Sequence, residues 1–230
     1  MSSSIPVSEF QDFVYRVSHD LSAPLRAVIE FSKLLQEGHA DKLDSEGMLY
    51  LRMIQQGGEK MRSMMDGLLA LSRLGSNVPL PELVKLDAVI EQCSQQMAAA
   101  QQLQGFDVRV SGLPDIKADP VYIRTLFEIL LDNAFRYVSA GIEPKVMVGA
   151  EQRDGEMVFS VTDNGIGIDP QYHDDIFTIF RRLHADSEYP GLGIGLTLAK
   201  KIVGIYGGRL WVESVEGQGA SFCFTLPKAM

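Results

Sequence analysis

Two apolar-periodic stretches of similar length flank a short polar segment in the first third of the chain. Phe10, Val14, Val17, Leu21, Leu25, Val28, Phe31 and Leu35 recur every three or four residues, the spacing of one amphipathic helix. The segment QEGHADKLDSEG that follows is polar and glycine-bearing and reads as a turn. Leu51, Ile54, Gly58, Met61, Met65, Leu68 and Ser72 then alternate steps of three and four, a heptad seam with small residues at Gly58 and Ser72. Long helices joined by a short loop fold back on each other as an antiparallel hairpin. Each would keep an apolar stripe that its partner cannot cover. The pattern therefore predicts a four-helix bundle formed by two hairpins in a homodimer. The alternative is that the stripe packs against the rest of the same chain.

One residue sits badly in this pattern. Pro24 falls inside the first helix, five residues after His19. An interior proline removes a backbone donor, crowds the carbonyl four residues back and costs about 3 kcal/mol. The carbonyl it releases is that of Asp20, next to His19, so the spacing predicts a loosened helix beside that histidine.

LGSNVPLPE, residues 74–82, carries glycine, serine, asparagine and two prolines and marks a boundary. Beyond it the texture changes. Helical stretches at about 87–104 and 120–138 alternate with the strand-like runs FDVRV, KVMVGAEQ, MVFSVTD, GRLWVESV and ASFCFTLP. The turns RDGE and VEGQG imply antiparallel hairpins. The expected fold is thus an all-α helical hairpin over residues 1–77, followed over 82–230 by an α/β two-layer sandwich with its helices on one face of a mixed sheet.

Composition removes several functions. A net charge of −9 opposes binding to DNA or RNA, which needs an excess of Lys and Arg, but leaves a single nucleotide with its metal ion admissible. Cys93 and Cys223 have no Cys or His neighbours at ligand spacing, which argues against a zinc site and a disulfide framework and fits free thiols in the cytoplasm. No apolar run approaches the ~20 residues needed to span a bilayer, and no signal-peptide pattern opens the chain.

Three segments carry chemistry. VTDNGIGIDP, residues 161–170, ends a strand with Asp163 and continues through Gly165 and Gly167, which let a flat ligand approach the backbone. A carboxylate there can accept a hydrogen bond from an exocyclic amine such as that of adenine; the plain alternative is an ordinary turn. YPGLGIGLTLAKKIVGIYGG, residues 189–208, sets Gly191, Gly193 and Gly195 directly before an apolar helix. Amides at such a start suit phosphate, although close helix packing through Gly193 and Gly195 would require the same residues. Neither the dinucleotide fingerprint nor the P-loop pattern is present. TLFEILLDNAFRYV, residues 125–138, places Asn133, a neutral oxygen ligand suited to Mg²⁺, one turn before Arg136 and Tyr137.

In order along the chain, the His19 segment, the Asn133 segment, DNGIGI, IFTIFRRLH and GLGIGL closely resemble the sensor histidine kinases. SHDLSAPLRAV, IRTLFEILLDNA and IFRRLH are worded most like the kinase modules of phytochrome-like photoreceptors. The resemblance implies a dimerisation and phosphoacceptor hairpin, then an ATP-binding domain of the Bergerat type. It implies autophosphorylation of His19 from Mg·ATP, with transfer to an aspartate of a response-regulator receiver domain, and a sensor domain that this chain does not carry. Position by position, His19 matches the phosphoacceptor and Asp20 the acid that orients it. Asp163 matches the adenine-reading carboxylate, Gly165, Gly167 and Ile168 the adenine pocket, and Asn133 the magnesium ligand. Arg136 and Tyr137 match the phosphate and base contacts, and Gly193 and Gly195 the hinge of a lid over 169–191. Phe177 and Phe180 match an aromatic pair in that lid, with Arg182 toward the γ-phosphate. His39, His173 and His184 have no such context and read as solvated loop residues.

Two positions depart from the family pattern. Ile129 stands where a second magnesium-holding asparagine is usual, with Glu128 about 100° away around the helix. Ala23 stands where kinases that also dephosphorylate their partner often carry Thr or Asn, so little phosphatase activity is expected. Ile129 also motivates an alternative function, a signalling scaffold or histidine phosphotransfer protein with a degenerate ATP domain. An ATP-driven conformational machine of the same fold would need a glutamate base where Ile129 stands.

Overall fold

A computed structural model describes residues 7–75, 80–103, 105–184, 188–189 and 191–226, with side chains from Val14 onward. The linker expectation over 74–82 falls partly on residues 76–79, and the lid expectation partly on 185–187 and 190, outside the described residues. The chain divides into two compact units, Met1–Ser76 and Asn77–Met230.

The first unit is a helical hairpin. Helix α1 spans Val7–His39 and α2 spans Ser45–Arg73. The segment read as a turn is mostly helical: α1 runs through His39 and a short 3₁₀ turn fills Ala40–Lys42. The break falls at Leu43 and Asp44, because the Asp44 carboxylate caps α2 by accepting from Gly47 N–H at 2.7 Å, and a capped start ends the preceding helix.

The apolar periodicity of α1 resolves into two faces. Val14, Ser18, Leu25, Ile29 and Ser32 are buried, and they share the hairpin interior with Leu51, Gly58 and Ser72 of α2. A Cβ at Gly58 would lie 2.8 Å from Ile29 Cγ1, so the missing side chain sets how closely the helices approach. Leu21, Val28 and Phe31 of α1, with Met53, Ile54 and Met61 of α2, remain exposed. Within the hairpin, the described residues of α1 and α2 do not bury this second stripe.

The second unit packs α3 (Leu86–Ala100), α4 (Pro120–Arg136) and α5 (Gly195–Ile205) with a five-stranded sheet. Its strands are β2 (Asp107–Ser111), β4 (Lys145–Arg153), β5 (Glu156–Asp163), β6 (Leu210–Ser214) and β7 (Ala220–Thr225), in the order β2-β4-β5-β7-β6. The hairpins expected at RDGE and VEGQG are present as β4–β5 and β6–β7, while β2 joins β4 in parallel. Two strands too short to show periodicity, β1 (Glu82–Val84) and β3 (Ile116–Ala118), form a separate antiparallel pair.

Alternation along β4 buries Val146 and Val148 and exposes Lys145 and Met147, the signature of a sheet with one covered face. Against that face lie Ile123, Leu126, Phe127, Leu130 and Leu131 of α4, all fully buried. Phe127 meets Phe224 edge-on at 6.0 Å, and Phe224 stacks on Phe159 at 5.3 Å. Helix α4 begins where it does because Asp119 caps it, accepting from Val121 and Tyr122 N–H, with Pro120 at the first helical position. Its start is thereby fixed and its far end, with Asn133, is delivered to the ends of the central strands.

Candidate functional site

In the hairpin, His19 projects from α1 with its side chain 75% exposed. Its Nδ1 lies 3.2 Å from Asp20 Oδ1, so the carboxylate can hold the ring as the Nδ1–H tautomer and leave the Nε2 lone pair outward. Helix α1 passes through Pro24 without a break. The local ladder is nevertheless altered at two neighbouring carbonyls. Pro24 has no N–H to give Asp20, and the Ser22 hydroxyl donates to the Ser18 carbonyl at 2.7 Å, a back-bond that favours bending.

The second unit builds its site where β5, α4 and the β6–β7 turn meet. Asp163 ends β5, and its Oδ1 accepts from Gly165 N–H at 2.8 Å and Ala220 N–H at 3.1 Å. Burial pushes its carboxyl up to about 6, and the two amides pull in the opposite direction. A carboxylate this poorly hydrated gains more than an exposed one from an amine donor.

The loop after Asp163 is pinned on both sides. Ile166 N–H donates to the Tyr137 carbonyl at 2.9 Å and its own carbonyl accepts from Gly217 N–H at 2.7 Å. Ile168 N–H donates to Ser214 Oγ, which donates in turn to the Gly219 carbonyl. Close approach explains the glycines. A side chain at Gly165 would strike the Tyr137 carbonyl, and one at Gly167, whose φ is +71°, would strike the Val215 carbonyl. Gly219, at φ +80°, would likewise collide with the Asp163 carbonyl. From the sequence, Gly217 and Gly219 read as turn residues only; their spacing just before β7 is the signal that could mark them.

Asn133 lies in the last turn of α4, and its Nδ2 is buried without a hydrogen-bond partner among the described residues. That nitrogen is a donor and suits a phosphate oxygen, whereas a magnesium ion would be ligated by the carboxamide oxygen. Among the described residues no group of three His, Cys, Asp or Glu side chains could hold a metal ion. A magnesium ion here would therefore draw its remaining ligands from phosphate oxygens and water, and the Asn133 carboxamide fits that role. Ile129 instead packs at the start of α5, 3.2 Å from where a Cβ of Gly195 would lie. Glu128 ion-pairs with Arg124, whose Nη2 donates to Gln92 of α3, so it serves the helix interface.

Arg136 lies in the last turn of α4 beside Asn133. Its guanidinium is engaged by Asp132 on the same helix through Nε and Nη2, with contacts at 2.8 to 3.1 Å. Tyr137 packs in tilted contact with two aromatic rings, 5.1 Å from Tyr189 and 6.1 Å from His184, which is itself 5.3 Å edge-on from Tyr189. His184 is thus part of an aromatic cluster, contrary to its reading as a solvated loop residue. His173 also differs, half-buried with Nε2 3.3 Å from the Ile168 carbonyl. His39 is exposed beside the Gly38 carbonyl. A cavity of about 720 Å³, lined by Arg136, Ser139, Ile166 and Tyr189 among others, opens at this end of α4.

The described part of the segment expected to form a lid is anchored to α5. Phe177 is buried, its carbonyl accepts from Thr197 Oγ1 at 2.9 Å, and Lys200 Nζ sits 5.0 Å from its ring centroid. Phe180 is more exposed, at φ +63°, and its N–H donates to the Gly193 carbonyl. A Cβ at Gly193, φ +69°, would lie 2.7 Å from the Arg181 carbonyl. Arg182 donates through Nη2 to the Tyr189 carbonyl. Gly195 opens α5, so the two glycines serve both a sharp turn and close packing. Both cysteines are free and buried, and burial pushes the Cys93 thiol up to about 11, which keeps it protonated and unreactive.

Comparison with known proteins supplies independent findings. Residues 11–77 match the family described as His Kinase A (phospho-acceptor) domain, and residues 118–230 match the Histidine kinase-, DNA gyrase B-, and HSP90-like ATPase family. The chain is 36% identical over 220 residues to cyanobacterial phytochrome A of Nostoc sp. strain PCC 7120, covering 96% of this chain and 29% of that protein. It is 35% identical over 229 residues to the adaptive-response sensory kinase SasA of Synechococcus sp. strain JA-3-3Ab, covering 95% of this chain and 60% of that protein. Among solved structures, full-length ShkA in complex with AMPPNP is similar with a TM-score of 0.68 and 27% identity, over 95% of this chain and 46% of that one. The chain thus spans less than two thirds of the length of each of these relatives.

Proposed function

The chain belongs to the sensor histidine kinases, as a phosphoacceptor hairpin followed by the kinase-type ATPase domain, and from that premise we propose that it phosphorylates His19 from Mg·ATP and passes the phosphoryl group to an aspartate of a response-regulator receiver domain. The observation that carries this reading is Asp163, a buried carboxylate held through Oδ1 by two backbone amides at the end of a central strand. Such a group reads an adenine amine. The AMPPNP complex of the similar ShkA structure supports the same assignment.

In the proposed reaction the Nε2 lone pair of His19 attacks the γ-phosphorus, the bond to the β–γ bridging oxygen breaks, and ADP leaves. The Nδ1 proton passes to Asp20, whose carboxylate already lies beside it. Magnesium, when bound, neutralises charge on the phosphates, and Asn133 is the residue that would hold it. Gly165, Gly167 and Ile168 shape the base pocket, Tyr137 lines its helix side, and the Gly193–Gly195 hinge carries the lid with Arg182. Arg136, oriented by Asp132, is the residue toward the phosphates. Ala23 offers no polar group to orient water near the phosphohistidine, which favours donation over hydrolysis. The exposed second stripe of the hairpin supports homodimerisation.

Incubation with γ-labelled ATP is expected to label the protein in an acid-labile, base-stable form, and His19→Gln is expected to remove the label. Equal labelling of the variant would overturn the assignment of His19. A second reading, a scaffold or phosphotransfer protein with a degenerate ATP domain, rests on Ile129 packed at the start of α5. Calorimetry with ATP and Mg²⁺ separates the two: absence of binding, with phosphoryl acceptance intact, selects the second.

A further inference from the structure

Tyr15 and His19 lie four residues apart on α1, with ring centroids separated by 6.4 Å and planes 27° apart. Residues at this spacing are neighbours on a helix surface, and the separation is within the range of offset aromatic stacking. Both side chains are exposed, Tyr15 at 55% and His19 at 75%. The contact therefore contributes no core burial to the hairpin.

An exposed imidazole on a helix turns about two torsions in water, and most orientations direct Nε2 away from an incoming phosphoryl group. Asp20 restrains the ring at one edge, through Nδ1. That single contact leaves the ring plane free to swing about the hydrogen bond. A second contact on the ring face removes this freedom. We propose that Tyr15 is a positioning residue for phosphoryl transfer: its ring braces one face of the His19 imidazole, so that Tyr15 and Asp20 together present Nε2 in one orientation. The inference rests on His19 being the phosphoacceptor. It concerns orientation, and leaves nucleotide binding and the intrinsic basicity of the ring to other groups.

Positioning matters for a donor held in a site and little for one that diffuses freely. Two phosphoryl donors therefore test the proposal. With ATP, Tyr15→Ala and Tyr15→Leu are expected to lower kcat for His19 labelling on the order of tenfold with KM for ATP unchanged, and Tyr15→Phe to restore it. With phosphoramidate, a small free donor, all variants are expected to label His19 at the wild-type rate. Unchanged ATP labelling in the Ala and Leu variants, equal loss in Phe and Ala, or parallel loss with both donors would each overturn the proposal.

The contact can also be read without turnover. The His19 ring protons are expected to show a ring-current shift in NMR spectra of the wild type and Tyr15→Phe that disappears in Tyr15→Ala. Absence of that difference overturns the inference even in a preparation that ATP does not label. Labelling of a residue other than His19 would instead overturn the functional reading.

Discussion

Asp163 combines two properties that oppose each other. Its carboxyl titrates near 6 because burial disfavours the charge, whereas an unfolded chain would release that proton near ~4. The folded state thus binds the proton more tightly. Stability from this group is full below about pH 4 and is lost as pH rises through about 6. Asp163→Asn keeps an oxygen for the Gly165 and Ala220 amides and removes the charge. It should therefore stabilise the protein by about 2 kcal/mol at pH 7 and by little at pH 4.5, read from denaturation at both values, while adenine nucleotide binding is lost. An equal effect at both pH values would remove the carboxylate from this role. By the same logic, ATP affinity of the wild type should fall as pH drops below about 6, and calorimetry in buffers of different ionisation enthalpy should show proton release on binding there. The close approaches at Gly165 and Gly167 have a local signal in the sequence, a strand ending in DNGIG, although an ordinary turn would give the same pattern. Gly219 is not legible in this way, since its reason is a contact with the Asp163 carbonyl 56 positions earlier in the chain, which no local pattern records. Gly219→Ala should separate Ala220 from Asp163 and weaken nucleotide binding at least tenfold, measured by titration with a fluorescent nucleotide.

At the scale of elements, periodicity located α1, α2, α4 and the two β-hairpins, because each is long or turn-bounded enough to show its pattern. It could not separate the two apolar faces of α1. Leu21 and Leu25 are equally apolar, yet Leu25 is buried and Leu21 exposed, a distinction that depends on which side meets α2. The loop differs from expectation for a related reason: glycine and charge at 37–42 suggest a turn, but the capping carboxylate of Asp44 places the break later. Gly58 offers a test of the hairpin. Gly58→Leu must push Ile29 aside, since even a Cβ would come within 2.8 Å of it. A cost of about 1–3 kcal/mol to the helical unit is expected, seen as a lower melting temperature of the helical signal. Nucleotide affinity should stay within twofold, because every residue of the Asp163 site belongs to the other unit. Pro24→Ala, in contrast, should raise helix stability by restoring the Asp20 hydrogen bond and alter the rate of His19 labelling. An unchanged rate would show that the proline is a tolerated residue without a mechanical part.

For the whole molecule, the decisive feature is the stripe that the hairpin leaves uncovered. Phe31 is 70% exposed and Met53 61%, with Leu21, Val28, Ile54 and Met61 nearby in the same two helices. Burying one large apolar side chain contributes about 1.5–3 kcal/mol, so a symmetric partner that covered six on each copy would gain enough to outweigh the entropy of association. The seam on α2 has the form such pairing needs. Leu51, Gly58 and Ser72, seven or fourteen residues apart, are buried on α1, while Ile54 and Met61 occupy the alternate heptad positions and stay exposed. One set closes the hairpin and the other is left for a second copy. Phe31→Glu places a charge within that surface and should convert the dimer to a monomer in sedimentation equilibrium at micromolar concentration, with Met61→Glu behaving alike. Helical content should be retained because neither side chain is buried in the hairpin. Nucleotide affinity should be unchanged, for the same reason as in Gly58→Leu. A Phe31→Glu protein that remained dimeric with full helical content would place the dimer contact elsewhere, and the uncovered stripe would then have to serve another partner.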